Sequence, residues 1–362
     1  MSENLKNETL YLGLSRGENF GWGVCSKYLR NELAKKLKVI DVDTVPRNMD
    51  SPKIPGKMLH ALTSLEFKPL FEVSAAANFG YTFFENELIE NSFMNSGNYN
   101  IVFGGSTWCV QKMNDYNINN TGLLIQGIDP ELFHPSDRKK NTDTFVIFSG
   151  GKFELRKSQD IVLKAAGIMQ KKYKDVYLVN SWYNLWPDSI KSMKDSPFIK
   201  FDLKGRNWEE HMRNLYVDNE LDYERIITLP LVPNNKMREI IYMTDIGIFP
   251  NRCEGGTNLV MMEYMACGKP VIASFTSGHK DILTDHNSYK LTSLKEFKLF
   301  NEEKLIADWE EPSLDEVVAN LEYSYINRET NLTKGENAGR HLKNYTWTNT
   351  AGQLLKQIFN EG

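Results

Sequence analysis

Residues Asp245–Phe275 read DIGIFPNRCEGGTNLVMMEYMACGKPVIASF. An apolar run of strand length, IGIF, passes through a glycine-rich turn into Leu259–Cys267, and KPVIASF follows as a second strand. Thr257 or Asn258 suits the helix N-cap, because a short polar side chain accepts a hydrogen bond from a free amide of the first turn. Gly255 and Gly256, just before that cap, give a ligand close access to the backbone. Strand, helix and strand of nearly continuous apolar character are the repeating unit of a parallel sheet covered on both faces. One residue resists the pattern: Glu263 is the only charged residue between Glu254 and Lys269. A carboxylate buried there without a partner costs on the order of several kcal/mol, so a polar partner is expected.

The same alternation runs through the chain. TLYLGLS, KVIDVDT, YNIVFGG, GLLIQG, TFVIFSGG, DVYLVNS and RIITLPLV are further strand candidates. Between the first two, Val24, Tyr28, Leu29 and Leu33 recur at helical spacing. A chain of 362 residues exceeds what one core usually serves, so two domains are expected. The polar stretch His134–Thr144 has the composition of a linker and divides the chain into residues 1–140 and 141–345. The tail, about 346–362, reads as a helix whose Ala351, Leu354, Leu355 and Ile358 need a surface to cover. Pro46–Leu62 reads as a variable loop.

Composition narrows the partners. With 43 Lys+Arg against 47 Asp+Glu the net charge is -4, which gives no electrostatic reason to expect nucleic acid. The four cysteines show no CxxC pair, so neither a disulfide framework nor a zinc site is expected. The start of the chain lacks the basic and apolar regions of a secretory signal, and no stretch approaches the ~20 apolar residues of a membrane span. A cytoplasmic protein is expected, with no resident cofactor and no metal. Asp41 and Asp43 form a DxD pair of metal-binding type that, with no His or further acid nearby, reads rather as structural or capping. YLRNELAKKLK, from Tyr28, is a solvated helix face or a peripheral membrane contact.

Two further segments carry possible chemistry. Ser149–Asp160, SGGKFELRKSQD, follows a strand and opens a helix, bringing Lys152, Arg156 and Lys157 to one glycine-rich turn. Free amides, the helix dipole and three cations would suit a pyrophosphate; a solvated basic loop is the plain alternative. Gly21, Gly23 and Ser26 approximate a dinucleotide fingerprint, but SRGENF separates them from the strand, and a glycine-rich loop lining an interdomain cleft fits equally. Glu254 lies at the C-terminal end of a strand, where open α/β sheets bind ligands. Sugar hydroxyls would satisfy Glu263 without a second buried charge.

Taken together, four segments in order resemble the family 4 retaining glycosyltransferases of the GT-B fold. SGGKFELRKSQDIVLKAA is similar to the family's diphosphate-gripping turn, with Lys152 on its Arg position and Lys157 on its Lys position. IQGIDPELFHP resembles the segment leading into the interdomain linker, EGGTNLVMMEYMACGKPVIAS the motif of two glutamates, and YTWTNTAGQLL the closing aromatic segment. Eight residues separate Glu254 from Glu263, where the family has seven. The resemblance implies an α/β protein of two Rossmann-like domains facing across a cleft, with the C-terminal helix crossing back to the first. It implies metal-independent, retaining transfer of a sugar from a UDP- or GDP-linked donor to a glycan, lipid-linked or other hydroxyl acceptor. In that scheme Glu254, Lys157 and Lys152 serve catalysis, and Glu263 holds the ribose. Gly255, Gly256, Thr257, Asn258 and Arg156 meet the donor, with Gly21 and Gly23 as the opposite wall and Val232 near the base. Tyr81, Thr82 or Glu85 would be acceptor-side contacts. The alternatives are a catalytically silent GT-B sugar-nucleotide-binding scaffold and an NAD-dependent oxidoreductase.

Overall fold

The computed structural model describes residues 4–17, 20–42, 53–136, 143–184 and 186–359. The first part of the chain contributes β1 (Thr9–Gly13), α1 (Gly21–Ala34), β2 (Lys38–Asp41), β3 (Lys53–Ala61), β4 (Ser74–Thr82), α2 (Glu90–Ser96), β5 (Ile101–Gly104), α3 (Thr107–Asp115) and β6 (Thr121–Leu123). The six strands form one parallel sheet in the order β2-β1-β3-β4-β5-β6.

The second part comprises β7 (Phe145–Lys152), α4 (Gln159–Lys172), β8 (Val176–Tyr183), α5 (Pro187–Lys191), α6 (Trp208–Asp218), β9 (Ile226–Thr228) and α7 (Asn234–Tyr242). Then come β10 (Ile246–Phe249), α8 (Leu259–Ala266), β11 (Val271–Ser274) and β12 (Tyr289–Leu291). Their strands form a second parallel sheet, β12-β11-β10-β7-β8-β9. An antiparallel hairpin, β13 (Leu294–Asn301) and β14 (Lys304–Pro312), precedes α9 (Leu314–Ile326), α10 (Arg328–Leu342) and α11 (Trp347–Phe359).

Successive side chains of a strand point to opposite faces, and β7 shows what that does here. Phe145 and Ile147 enter the core under α4 and α9, while Phe148 enters the core under α7, α8 and α10. Both faces are therefore apolar, which is why these strands read as unbroken runs. The tail helix α11 finds its surface on the other domain. Trp347, Ala351, Leu354, Leu355 and Ile358 pack with Leu29 and Leu33 of α1 and with Leu10, Leu59 and Phe103 of the first sheet.

The stretch expected to be a loop, Pro46–Leu62, instead carries β3 from Lys53. Pro55 and Gly56 mask its pattern, and the pairing with β4 shifts register between Ile54 and Lys57. Residues 137–142 of the expected linker and Asp43 of the DxD pair lie outside the described residues. Asp41 pairs with Arg30 at 2.7 Å. The basic helix face carries a second pair, Lys35 with Glu32.

The strand order reverses between β1 and β3 in the first sheet and between β7 and β10 in the second. A crevice opens at the C-terminal ends of strands where such an order reverses. The loop after β1 leads into α1; the ends of β7 and β10 carry the glycine-rich turn and the acidic loop.

Candidate active site

A cavity of about 170 Å³ lies at these reversal points, lined among others by Gly21, Lys152, Tyr183, Val232, Asn234 and Glu263. Glu263 is 6% exposed. Asn234 Nδ2 donates to its Oε1 at 2.7 Å, and no other side chain among the described residues bonds the carboxyl. Burial pushes its pKa up to about 8; the Asn234 bond opposes the rise and the charge of Asp129 adds to it. The polar partner expected from the sequence is thus half present, and the rest of the carboxyl faces the cavity.

Gly21 is the first residue of α1, and a Cβ there would meet nothing within 4 Å. Gly23 differs: a Cβ there would fall on the carbonyl of Gly17, whose φ is +138°. Gly23 is therefore a packing requirement of the loop after β1, whereas the space beside Gly21 is open. In the glycine-rich turn Gly151 takes φ +121°, a conformation L side chains rarely adopt, and the next residue, Lys152, lines the cavity. The Lys152 side chain is 41% exposed, its Nζ 3.4 Å from Glu154 and 5.2 Å from the centroid of the Trp186 ring.

Lys157 and Arg156 are turned inward. Lys157 Nζ donates to Glu254 Oε1, which also accepts from Asn251 Nδ2 at 2.5 Å and lies 3.3 Å from Arg156 Nη1. Burial alone would raise the pKa of Glu254, but Lys157 and Arg156 overcome it and hold the carboxyl at about 2. Arg156, 8% exposed, donates to Glu154 at 2.6 Å and to the Cys253 carbonyl at 2.8 Å, and stands 3.4 Å from Glu85 of the first domain. A fork spent on these partners is not presented to the cavity, contrary to the expectation for Arg156.

The acidic loop also differs from its sequence reading. Gly255 and Gly256 admit the first domain rather than leaving room for a ligand. A Cβ on Gly255 would strike the Phe84 backbone, and one on Gly256 would press on Phe83 and Gln126. Ser106 Oγ donates to the Gly255 carbonyl at 2.7 Å, and the Gly255 amide donates to Glu85 at 3.3 Å. Asn258 is the N-cap, accepting from the Met261 amide at 3.4 Å. Thr257 is fully buried, its hydroxyl donating to Met262 Sδ at 3.0 Å. Of the suggested acceptor contacts, Tyr81 and Thr82 are fully buried and Glu85 meets Arg156 and Gly255.

Sequence reasoning passed over Arg252 and Asn234. Arg252 is fully buried, its guanidinium bonded to Asp160 at 3.0 and 2.8 Å, to Glu311 at 3.0 and 2.7 Å and to the Leu155 carbonyl at 2.6 Å. It ties the glycine-rich turn, the acidic loop and β14 together. A cation three residues after an apolar strand was its only local signal, because both carboxylates lie far away in sequence. Among the described residues no three His, Cys, Asp or Glu side chains cluster as a metal site would. No helix among them is long and apolar enough to cross a membrane.

Two facing Rossmann-like domains, joined by a returning C-terminal helix and meeting at their strand-reversal points, define the GT-B fold. Known structures share it. Sucrose-phosphate synthase of Thermosynechococcus elongatus superposes with a TM-score of 0.69 over 98% of this chain and 100% of its own, at 12% identity. Anabaena HepE in complex with UDP-glucose superposes with a TM-score of 0.66 over 98% and 99%, also at 12% identity. Residues 177–298, within the second domain, match the family model of glycosyl transferases group 1. D-inositol 3-phosphate glycosyltransferase of Paenarthrobacter aurescens (strain TC1) is 24% identical over 237 residues, 64% of this chain. The matched stretch spans 49% of that relative, about half its length.

Proposed function

We propose that the protein is a retaining, metal-independent glycosyltransferase that takes a nucleoside-diphosphate sugar, UDP- or GDP-linked, as donor and a hydroxyl of a glycan or lipid-linked saccharide as acceptor. The observation that carries this reading is the half-satisfied, buried carboxyl of Glu263 facing the same cavity as Lys152 and Gly21. A carboxyl offering a free acceptor oxygen suits vicinal ribose hydroxyls, which are donors without charge. Lys152 suits the diphosphate as a point charge on a flexible stem. Gly21 leaves space for it at the start of a 14-residue helix, whose free amides and dipole favour an anion. Pro230, Leu231 and Val232 line the same cavity and would meet the base. Its volume is below the ~300–1,000 Å³ that encloses a whole drug-sized ligand, so the sugar extends from it along the interdomain cleft.

The chemical task is to stabilise the negative charge of the departing diphosphate while the anomeric carbon becomes oxocarbenium-like. Lys152 does so directly. Lys157 and Arg156 act from behind as part of the network that fixes Glu254, whose ionised carboxylate anchors the acidic loop. Incubation with a panel of UDP-, GDP- and ADP-sugars, with and without EDTA, tests the reading. One donor raises the melting temperature and is consumed at the same rate with chelator present, and Lys152→Ala lowers consumption by at least tenfold. Donor binding without turnover on any acceptor points to a silent sugar-nucleotide-binding protein. Stabilisation by NAD instead points to an oxidoreductase.

A further inference from the structure

Asn234 opens α7 and stands between the domains. Its Nδ2 donates to Glu263 at 2.7 Å, and its Oδ1 accepts from the Tyr28 hydroxyl at 3.4 Å. Tyr28 belongs to α1 of the first domain, and its ring lies parallel to that of Trp347 on α11, with centroids 5.9 Å apart. A carboxamide has one donor end and one acceptor end. Here the donor end meets the Glu263 carboxyl and the acceptor end meets the Tyr28 hydroxyl. Asn234 thus bridges Glu263 of the second domain and Tyr28 of the first.

We propose that Asn234 is a positioning residue for Glu263: its N–H holds one carboxyl oxygen and leaves the other for the ligand's hydroxyls, while Tyr28 makes that hold depend on the first domain being seated. The ligand half of the proposal rests on the nucleotide-sugar reading of the cavity; the effect on the Glu263 carboxyl does not.

The groups that face Glu263 are few. Asp129 disfavours its charge, Cys267, the C-cap of α8, is itself pushed up to about 12 by burial, and Lys152 lines the same cavity. Among the described side chains Asn234 alone donates a hydrogen bond to it. A hydrogen bond to the ionised form favours that form, so removing Asn234 moves the titration of Glu263 upward.

The test uses the full chain as wild type, Asn234→Ala and Tyr28→Phe. Carboxyl ¹³C NMR of labelled glutamate, with Glu263→Gln assigning the signal, follows Glu263 directly, and UDP, GDP and ADP affinities are measured from pH 6 to 10. Asn234→Ala shifts the Glu263 titration upward by about one unit. The rise of nucleotide affinity with pH moves with it, giving roughly tenfold weaker binding near pH 7.5 that recovers at higher pH. Tyr28→Phe shifts both in the same direction by less. An unchanged Glu263 titration in Asn234→Ala, or an affinity loss by the same factor at every pH, overturns the positioning role. An unchanged titration in Tyr28→Phe overturns the link to the first domain. If no nucleotide binds any of the proteins while the titration still shifts, the positioning of Glu263 stands and the nucleotide reading fails.

Discussion

Glu263 and the two glycines of α1 give the most specific residue-level expectations. The folded carboxyl titrates near 8 against an ordinary 4.5. Folding therefore favours the protonated form. The stability linked to it is fully present below about pH 4.5 and is lost as pH rises towards 8. Glu263→Gln keeps the shape and has no proton to lose, so its melting temperature gains on wild type progressively between pH 5 and 8; a constant difference across that range would show that Glu263 does not titrate there. Gly21 and Gly23 separate ligand space from packing space. Gly23→Ala forces a Cβ onto the Gly17 carbonyl and destabilises by about 1–3 kcal/mol. Gly21→Ala meets open space, leaves stability unchanged or up to about 1 kcal/mol higher, and weakens donor binding. Paired melting curves and donor titrations of the two variants check both halves.

At the scale of elements, the site is held by connections that sequence patterns do not display. The buried Arg252 joins the turn after β7 and the loop after β10 to the hairpin through Asp160 and Glu311. Removing one member of a fully buried, hydrogen-bonded ion network leaves the others uncompensated and costs about 3–5 kcal/mol. Arg252→Ala should show that loss in urea denaturation, and a change below about 1 kcal/mol would mean the network is not a structural tie. The helix α8 and its flanking strands were legible because their apolar runs are unbroken. Its N-cap was narrowed to Thr257 or Asn258 from chemistry alone, and the structure selects Asn258. β3 was hidden by Pro55 and Gly56, β4 by its small residues Ala75–Ala77, and β13–β14 by an exposed alternation that belongs to neither parallel sheet.

For the whole molecule, the α/β architecture followed from strand–helix alternation and the tail helix's need for a surface from its apolar positions, whereas its return to the first domain was implied only by the family resemblance. What could not be read was which groups the domains bring face to face. Gly255 and Gly256 were legible as glycines that permit a close approach, but the approaching body is the first domain's Phe83–Glu85 segment. Lys152 and Arg156 were legible as cations of one turn, yet only tertiary packing directs Lys152 into the cavity and spends Arg156 on Glu154, Cys253 and Glu254. Glu263 drew attention from its position in an apolar helix, whereas Asn234 and Tyr28 meet it only after folding. The central claim is that this carboxyl holds the ribose of a nucleoside-diphosphate sugar. Calorimetric titration of wild type and Glu263→Ala with the stabilising donor tests it most directly. Glu263→Ala should remain folded and lose at least tenfold in affinity; equal affinity of the two proteins would rule out the ribose role.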